Sequence, residues 1–131
     1  MKELSIITIN YNGLADTCTL IESIPFNETL EVIVVDNASR NQEVETDTIA
    51  KRFPQVKVIK SEKNLGFAGG NNLGIQVAQG KYLFFINNDT IFEDFNIQSL
   101  IDRLESSPTI GIVCPKIRTR TLQPNHRKAR R

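Results

Sequence analysis

Short apolar segments alternate along the chain with longer polar or amphipathic ones. Four apolar segments are predicted to be β-strands: Leu4–Ile9, Glu31–Val35, Val56–Ile59 and Tyr82–Ile86. The continuous apolar runs Glu31–Val35 and Tyr82–Ile86 are typical of strands buried on both faces. Val56–Ile59 alternates between apolar and polar residues, which predicts a short strand. A fifth apolar run covers Ile110–Cys114.

Four segments with helical character separate or follow these strands. They are Leu14–Ser23, Gln42–Arg52, a stretch that ends near Ala78, and Ile97–Glu105. Pro25 and Pro54 follow the first two helices and end them, and Gly80 is predicted to be the C′ glycine of the third. Strands that alternate with helices of about ten residues predict parallel βαβ units. We therefore expect an α/β fold, a three-layer Rossmann-like and mostly parallel sheet flanked by helices.

Polar side chains follow three of the predicted strands at the point where each strand ends. They are Asn10-Tyr11-Asn12, Asp36-Asn37 and Asn87-Asn88-Asp89. Parallel strands end side by side, and ligands of open α/β sheets bind at this edge. We therefore expect the three clusters to converge on one site. The alternative is that they are ordinary polar turns, because Asn and Asp favour turns in any protein.

The two carboxylates in these clusters have different predicted roles. Asp89, with amide oxygens beside it, offers hard oxygen ligands suited to Mg²⁺ or Mn²⁺ that carries a phosphorylated ligand. Asp36 can accept hydrogen bonds from a ribose hydroxyl or a base N–H group. The alternative for both is local capping, of a helix by Asp36 or Ser39 and of a turn by Asp89 or Thr90.

A glycine-rich segment, Asn64–Asn72, is predicted to be a loop that leads into the third helix. Gly66, Gly69 and Gly70 either let the backbone approach a ligand or permit a left-handed turn and close packing of the helix on the sheet. A dinucleotide-binding domain would carry G-x-G-x-x-G directly after its first strand. The segment Asn10–Gly13 occupies that position here, which argues against such a domain.

Composition and charge fit one globular domain with a basic end. The chain has 131 residues, of which 40% are hydrophobic and 24% charged, as is usual for such a domain. Seven of the 16 basic residues and none of the 15 acidic ones lie from Lys116 onward, so residues 1–115 carry a formal charge of −6. We place the domain at residues 1–116 and interpret 117–131 as a disordered tail. A tail that binds nucleic acid is the alternative, but the acidic body offers no matching basic face.

The rarer residue types exclude several classes of function. Cys18 and Cys114 lack CxxC spacing, so we expect two small core residues and neither a disulfide framework nor a zinc site. The single histidine, His126, lies in the basic tail, which leaves acyl-transfer chemistry little support. No stretch has the pattern of a signal peptide or a membrane span. We expect a cytoplasmic protein, with the inner face of the membrane as the alternative location.

Four motifs, in this order, resemble those of a known enzyme family. They are Ser5–Asn12, Val34–Ser39, Asn64–Gly74 and Phe85–Thr90. Together they resemble the nucleotide-binding half of a family 2 glycosyltransferase of GT-A fold, and most closely its rhamnosyltransferase-like bacterial branch. The resemblance covers roughly residues 3–116, and four ordered motifs make a chance match improbable.

The resemblance implies an inverting transfer of a sugar from a nucleotide-diphosphate-sugar donor to a saccharide or lipid-linked acceptor, as in polysaccharide biosynthesis. It implies a divalent metal, Mg²⁺ or Mn²⁺, as cofactor. The family's acid-x-acid motif falls on Asn87-Asn88-Asp89, so Asp89 is implied to be the metal ligand, while Ile9, Tyr11 and Asp36 are implied to surround the base and ribose. The predicted nucleotide-sugar-binding residues are Ile9, Asn10, Tyr11, Asp36, Asn64, Gly66, Asn72, Asn87, Asn88 and Asp89.

The sequence departs from the family pattern at three points. Asn87 stands where the family has its first acid, which removes one negative charge from the predicted metal site. Asn71 stands where many members carry an arginine. The chain also ends near the point where the acceptor-binding half, which supplies the family's general base, would begin. We therefore expect a truncated enzyme of weak or no activity, or else a nucleotide-binding module that forms a homodimer through uncovered apolar surface.

A receiver-like or flavodoxin-like protein is the remaining hypothesis within the α/β class. A receiver would gather acids at the end of the first strand, where this chain has Asn10 and Asn12. The sequence also lacks a flavin-loop signal. The glycosyltransferase hypothesis is therefore favoured.

Overall fold

The computed structural model describes residues 1–119, which contain four strands and four helices. The elements alternate along the chain as β1 (Leu4–Asn10), α1 (Leu14–Ser23), β2 (Leu30–Asp36), α2 (Gln42–Arg52), β3 (Lys57–Lys60), α3 (Gly66–Val77), β4 (Tyr82–Phe85) and α4 (Ile97–Glu105). No helix among these residues is long and apolar enough to cross a membrane.

The four strands form one sheet in the order β3-β2-β1-β4, and every neighbouring pair is parallel. In the register of β1 with β2, Asn10 lies beside Asp36, while Ile7 lies beside Phe85 of β4. The two central strands are buried and mostly apolar on both faces, as parallel strands covered by helices require. The predicted parallel α/β architecture is confirmed.

Side chains alternate between the two faces of the sheet along β1, and this divides the helices into two layers. Ile7 faces α3, where a β-carbon built on Gly74 would lie only 2.6 Å from Ile7 Cγ2. Asn10 faces the opposite side, where it bonds to Thr17 of α1 and Glu45 of α2. The sheet is therefore the middle layer, with α3 on one face and α1 and α2 on the other.

An apolar core fills the space between the sheet and α3. Ile7, Ile33 and Val35 are fully buried there, and the side chains that pack against them are those of Ile59, Leu73, Val77 and Ala78. Burial of one aliphatic side chain of this size contributes roughly 1.5–3 kcal/mol to folding. This core fixes the start of α3 at the carboxyl edge of the sheet.

The predicted glycine-rich loop is wrong over most of its length, because the chain is already helical from Gly66 onward. Gly66 adopts φ +72° at the start of the helix, a conformation that glycine accepts without strain. A β-carbon built on Gly70 would lie 2.8 Å from Ile9 Cδ1, so this glycine allows the helix to contact β1 closely. Of the two interpretations of the glycines, the left-handed turn and the close packing of the helix therefore hold at Gly66 and Gly70.

The prediction of Gly80 as the C′ residue of α3 is also wrong. The helix is capped at Ala78, whose backbone is extended, and its N–H donates to the carbonyls of Gly74 and Ile75. Gly80 is required for a different reason, because a β-carbon there would lie 2.5 Å from the backbone nitrogen of Ser5. The chain enters β4 at a point where no side chain fits.

The chain forms two compact units, Met1–Phe95 and a second that begins at Asn96. In the second unit, Asn96 caps α4 by accepting a hydrogen bond from Gln98 N at 3.0 Å. The predicted domain boundary at residue 116 stays a prediction, and residues 120–131 of the predicted tail lie outside the described part of the chain.

The two cysteines differ in burial. Cys18 is buried on α1, as predicted, whereas Cys114 is exposed, so the prediction of a second core cysteine is wrong. The apolar run 110–114 has no regular secondary structure. Gly111 interrupts the run and Pro115, which lacks an N–H donor, follows it.

Candidate functional site

A cleft of about 400 Å³ opens at the carboxyl edge of the sheet, within the unit Met1–Phe95. Its walls come from the end of β1, the loop after β2, the start of α3 and the loop after β4. The lining residues are Ile9, Asn37, Asn64, Gly66, Phe67, Ile86, Asn87, Asn88 and Asp89. The volume lies within the usual range for small-molecule sites. Loops far apart in sequence thus meet at one concave surface.

The structure brings six of the ten predicted site residues together in this cleft. They are Ile9, Asn64, Gly66, Asn87, Asn88 and Asp89. Asn10 and Asp36 are fully buried and do not line it. Tyr11 and Asn72 are exposed but also lie outside the lining. Contact of any of the ten with a nucleotide stays a prediction.

Asn37 lines the cleft although it is absent from the predicted set, and strand geometry explains why. Consecutive residues of an extended chain point to opposite faces. Asn10 and Asp36 lie side by side in the register and both face α1 and α2. Their neighbours Ile9 and Asn37 therefore face the cleft. The alternation of side chains was the available sequence signal for Asn37.

The carboxylate of Asp36 organises the buried side of the site. Its Oδ1 accepts hydrogen bonds from Asn10 Nδ2 at 2.8 Å and from Ser39 Oγ at 2.7 Å. Its Oδ2 accepts from Ser39 N at 3.0 Å and from Gln42 Nε2 at 2.8 Å. Four bonds use the acceptor capacity of a carboxylate. Asp36 thereby ties β1, the loop after β2 and the start of α2 together.

A second buried carboxylate, that of Glu45 on α2, also accepts a hydrogen bond from the side-chain amide of Asn10. Glu45 Oε1 accepts from Asn10 Nδ2 at 3.2 Å and from Leu14 N at 3.1 Å, at the start of α1. Asn10 Oδ1 in turn accepts from Thr17 Oγ1 at 2.7 Å. The hydroxyl of Thr17 then accepts from Asn88 Nδ2 at 3.1 Å. A continuous hydrogen-bond chain thus runs from the buried acids to the rim of the cleft.

The start of α3 is held in place by a clamp of two asparagines. Asn37 Oδ1 accepts from Leu65 N at 2.9 Å, and Asn37 Nδ2 donates to Gly66 O at 3.0 Å and to Asn64 Oδ1 at 3.1 Å. Asn64 Oδ1 also accepts from Gly66 N at 2.9 Å. These bonds orient the first turn of α3, whose amide groups and dipole give the helix start a positive potential.

The cleft combines a negative group with this positive helix start. Asp89 is exposed, and its carboxylate has no hydrogen-bond or ion-pair partner among residues 1–119. None of the lining residues is a lysine or arginine. A phosphorylated ligand would meet the start of α3 on one side, but it would need a cation to approach Asp89 on the other.

The oxygen donors around Asp89 fit a divalent cation shared with a ligand. No group of three or more His, Cys, Asp or Glu residues within the described part of the chain is placed to hold a metal by itself. Mg²⁺ is typically bound by one or two carboxylates together with substrate phosphates and water. Asp89, with the amide oxygens of Asn87 and Asn88 beside it in the lining, matches that donor set.

The sequence and the fold are both similar to those of known proteins. The sequence model of the family described as Glycosyl transferase family 2 matches residues 5–131. An uncharacterized glycosyltransferase of Haemophilus influenzae is 32% identical over 112 residues, which are 84% of this chain and 37% of that protein. The uncharacterized glycosyltransferase YibD of Escherichia coli is 32% identical over 113 residues, 79% of this chain and 32% of its own. The chain thus spans about a third of these relatives.

Two solved structures resemble the fold. Mannosyltransferase PcManGT from Pyrobaculum calidifontis, in complex with GDP-Man and Mn²⁺, has a TM-score of 0.72 at 20% identity and covers 83% of this chain and 34% of its own. S. aureus TarS 1–349 in complex with UDP has a TM-score of 0.65 at 21% identity, with 86% and 38% covered. The predicted GT-A architecture is confirmed by these likenesses.

Proposed function

The chain belongs to glycosyl transferase family 2, and from this premise we propose that it binds the nucleotide-diphosphate-sugar donor of a sugar-transferring enzyme. The reaction would be an inverting transfer to a saccharide or lipid-linked acceptor. Support comes from the cleft, where Asp89, a carboxylate without a partner in the described part of the chain, shares the lining with the start of α3. That pairing suits a diphosphate whose charge is balanced partly by a cation and partly by helix amides.

In this proposal the described residues bind and orient the donor. Asn37 and Asn64, which accept from Leu65 N and Gly66 N, fix the start of α3 beside the diphosphate, and Asp89 holds the cation against it. Ile9, Phe67 and Ile86 supply apolar walls. When bound, a divalent cation would offset the negative charge that grows on the departing nucleoside diphosphate. Asp36 would act from behind the cleft by fixing the loops that carry its walls.

Calorimetric titration with UDP, GDP and dTDP, each with and without Mn²⁺, tests this proposal. We expect one of the three to bind the wild-type chain in a Mn²⁺-dependent manner, and Asp89→Ala to abolish the dependence. Asp94→Asn is the matched control, because Asp94 is a nearby exposed acid outside the cleft lining. Its backbone has φ +44°, a conformation that asparagine tolerates. Equal metal-dependent binding by Asp89→Ala and wild type would contradict the proposal.

A second candidate role, association of two copies of this chain, is favoured by the edge strand β4. The strand lies at one end of the sheet order, and Leu83 and Phe85 remain 40% and 43% exposed on it. Open edges with apolar side chains promote pairing between chains. We expect light scattering to show a concentration-dependent dimer that Phe85→Lys weakens. Val44→Lys, at an exposed apolar residue on α2, should leave the dimer unchanged. A wild-type monomer at every concentration would exclude this role.

A further inference from the structure

We propose that Thr17, on α1, is a positioning residue that orients the side chain of Asn88 and thereby the Asn88-Asp89 segment for donor binding. The inference rests on the proposed function, because it concerns the same cleft. Thr17 is fully buried and does not line the cleft, so it would act through Asn88 rather than by contact with the donor.

The loop after β4 is attached to α1 at two points. Asn88 Nδ2 donates to Thr17 Oγ1 at 3.1 Å, and Phe92 N donates to Ser23 Oγ at 3.0 Å. The two hydroxyl-bearing residues are six positions apart, or about 9 Å along a helix. Asp89 lies in the segment between the attachment points. The helix therefore holds both sides of the segment that carries the exposed carboxylate.

The direction of each hydrogen bond in this network follows from the two buried acids. Carboxylates accept and do not donate when ionised, so Asp36 and Glu45 require that the Nδ2 group of Asn10 faces them. This leaves Asn10 Oδ1 as an acceptor, to which Thr17 must give its only proton. Thr17 Oγ1 can then only accept from Asn88.

These hydrogen-bond directions determine which atom of the Asn88 side chain is available to a ligand. Because Asn88 Nδ2 is used by Thr17, the free end of the amide is its carbonyl oxygen, which has no partner among residues 1–119. An amide oxygen next to the Asp89 carboxylate is a suitable second hard donor for a divalent cation. A reversed amide would place a donor there instead.

Gly13 leaves the space in which this amide sits. A β-carbon built on Gly13 would lie 2.7 Å from Asn88 Nδ2 and 3.7 Å from Asn10 Oδ1. With a side chain at position 13, the Asn88 amide would have to move from this place. The arrangement of Thr17, Asn10 and Asn88 therefore depends on the missing side chain at Gly13 as well as on hydrogen bonds.

The test compares Thr17→Val, which keeps the shape but loses the hydroxyl, with Thr17→Ser, which keeps the hydroxyl. UDP, GDP and dTDP are titrated with and without Mn²⁺. We expect Thr17→Val to weaken Mn²⁺-dependent binding roughly tenfold, the low end of losses seen when groups behind metal ligands are removed. Metal-free binding should stay unchanged in both variants, and Thr17→Ser should retain wild-type affinity. Equal metal-dependent binding by Thr17→Val and wild type overturns the positioning role and leaves the proposed function intact.

Two further measurements apply if Thr17→Val does not fold or if the wild-type chain binds no nucleotide. If Thr17→Val does not fold, Gly13→Ala takes its place, because its β-carbon would lie 2.7 Å from Asn88 Nδ2 and displace this amide without removing it. It should give the same loss. If wild type binds none of the three nucleotides, the proposed function fails. The side-chain amide signals of Asn88 in NMR spectra then test the hydrogen bond alone. A shift in Thr17→Val that Thr17→Ser restores supports the orienting role, and unchanged signals overturn it.

Discussion

Asp36 is the residue through which the loops around the cleft are joined. Its carboxylate is fully buried and accepts four hydrogen bonds, from Asn10, Ser39 and Gln42. None of these donors is a lysine or arginine. The negative charge is therefore stabilised by polar groups on three different parts of the chain. Its removal should lower the stability of the whole fold.

We expect Asp36→Asn to lower the free energy of unfolding by about 1–3 kcal/mol, because the new NH₂ group would face hydrogen-bond donors in a buried site. Urea denaturation at pH 7 measures the change. Asp47→Asn is the control, at an exposed position of α2, and should change stability little. If the two variants were equally stable, Asp36 would have no structural role of the kind described.

At the residue level, the sequence predicted which loops form the site better than which side chains line it. The ends of three strands are identifiable from the change from apolar to polar residues, and six of the ten predicted site residues line the cleft. The charge of Asp36 favours a ligand-binding role, whereas strand alternation directs its side chain to the buried face and directs Asn37 to the cleft. The alternative that Asp36 or Ser39 caps a helix is wrong, because the N-cap residue of α2 is Asn41 and it has no side-chain capping bond. Asp36 instead accepts from Ser39 N within the loop before this helix.

Among the elements, the turn between α3 and β4 depends on one buried acid. Glu31, near the start of β2, accepts hydrogen bonds from Ser5 Oγ and Gln79 N, and its Oε2 lies 3.8 Å from Lys57 Nζ. Gly80 N donates to the same Ser5 hydroxyl at 2.8 Å. This cluster lies at the end of the sheet opposite the cleft and fixes the approach of the chain into β4.

Burial by itself would raise the pKa of Glu31, but the hydrogen bonds from Ser5 and Gln79 and the charge of Lys57 outweigh it and hold this pKa below its ordinary value. A carboxylate with a lowered pKa in the folded state stabilises the fold above its unfolded pKa. That contribution is lost as the pH falls from about 4.5 through the folded-state pKa.

We expect Glu31→Gln to lower the free energy of unfolding by roughly 1–3 kcal/mol at pH 7, the contribution of hydrogen bonds to a charged group. Urea denaturation between pH 7 and pH 3 should show the gap from wild type narrowing as the pH falls below about 4.5. Glu28→Gln, at an exposed position, serves as the control. A gap that stays constant over this range would contradict the lowered pKa.

The elements themselves were largely predictable because hydrophobic periodicity and proline positions mark them. α1, α2 and α4 have the predicted bounds, and each strand lies within two residues of its prediction. The exception is α3, whose start contains Gly66, Gly69 and Gly70. Because glycine lowers helix propensity, the local sequence indicates a loop here. The segment is nevertheless helical, since these glycines allow it to pack closely on Ile7 and Ile9.

For the molecule as a whole, the sheet order brings the acidic and the amide-rich loops to one edge. β1 and β4 are neighbours, and β2 lies on the other side of β1, so the loops after these strands surround a single cleft. The polar ends of the predicted strands already indicated this convergence. The network that links Asp36 to Asn88 is not visible in the sequence, because two residues bonded within it, Thr17 and Asn88, are 71 positions apart and no local pattern connects its members.

The most direct test of whether Asp89 holds a cation in the cleft is to locate bound Mn²⁺ by NMR. Mn²⁺ broadens the signals of nearby nuclei, so we would add it in substoichiometric amounts with UDP, GDP or dTDP to the isotope-labelled chain. We expect the backbone amides of Gly66, Asn88 and Asp89 to broaden first, and Asp89→Asn to remove the effect. Broadening centred on the exposed acids of α2, Glu43 and Asp47, or an effect that persists in Asp89→Asn, would contradict it.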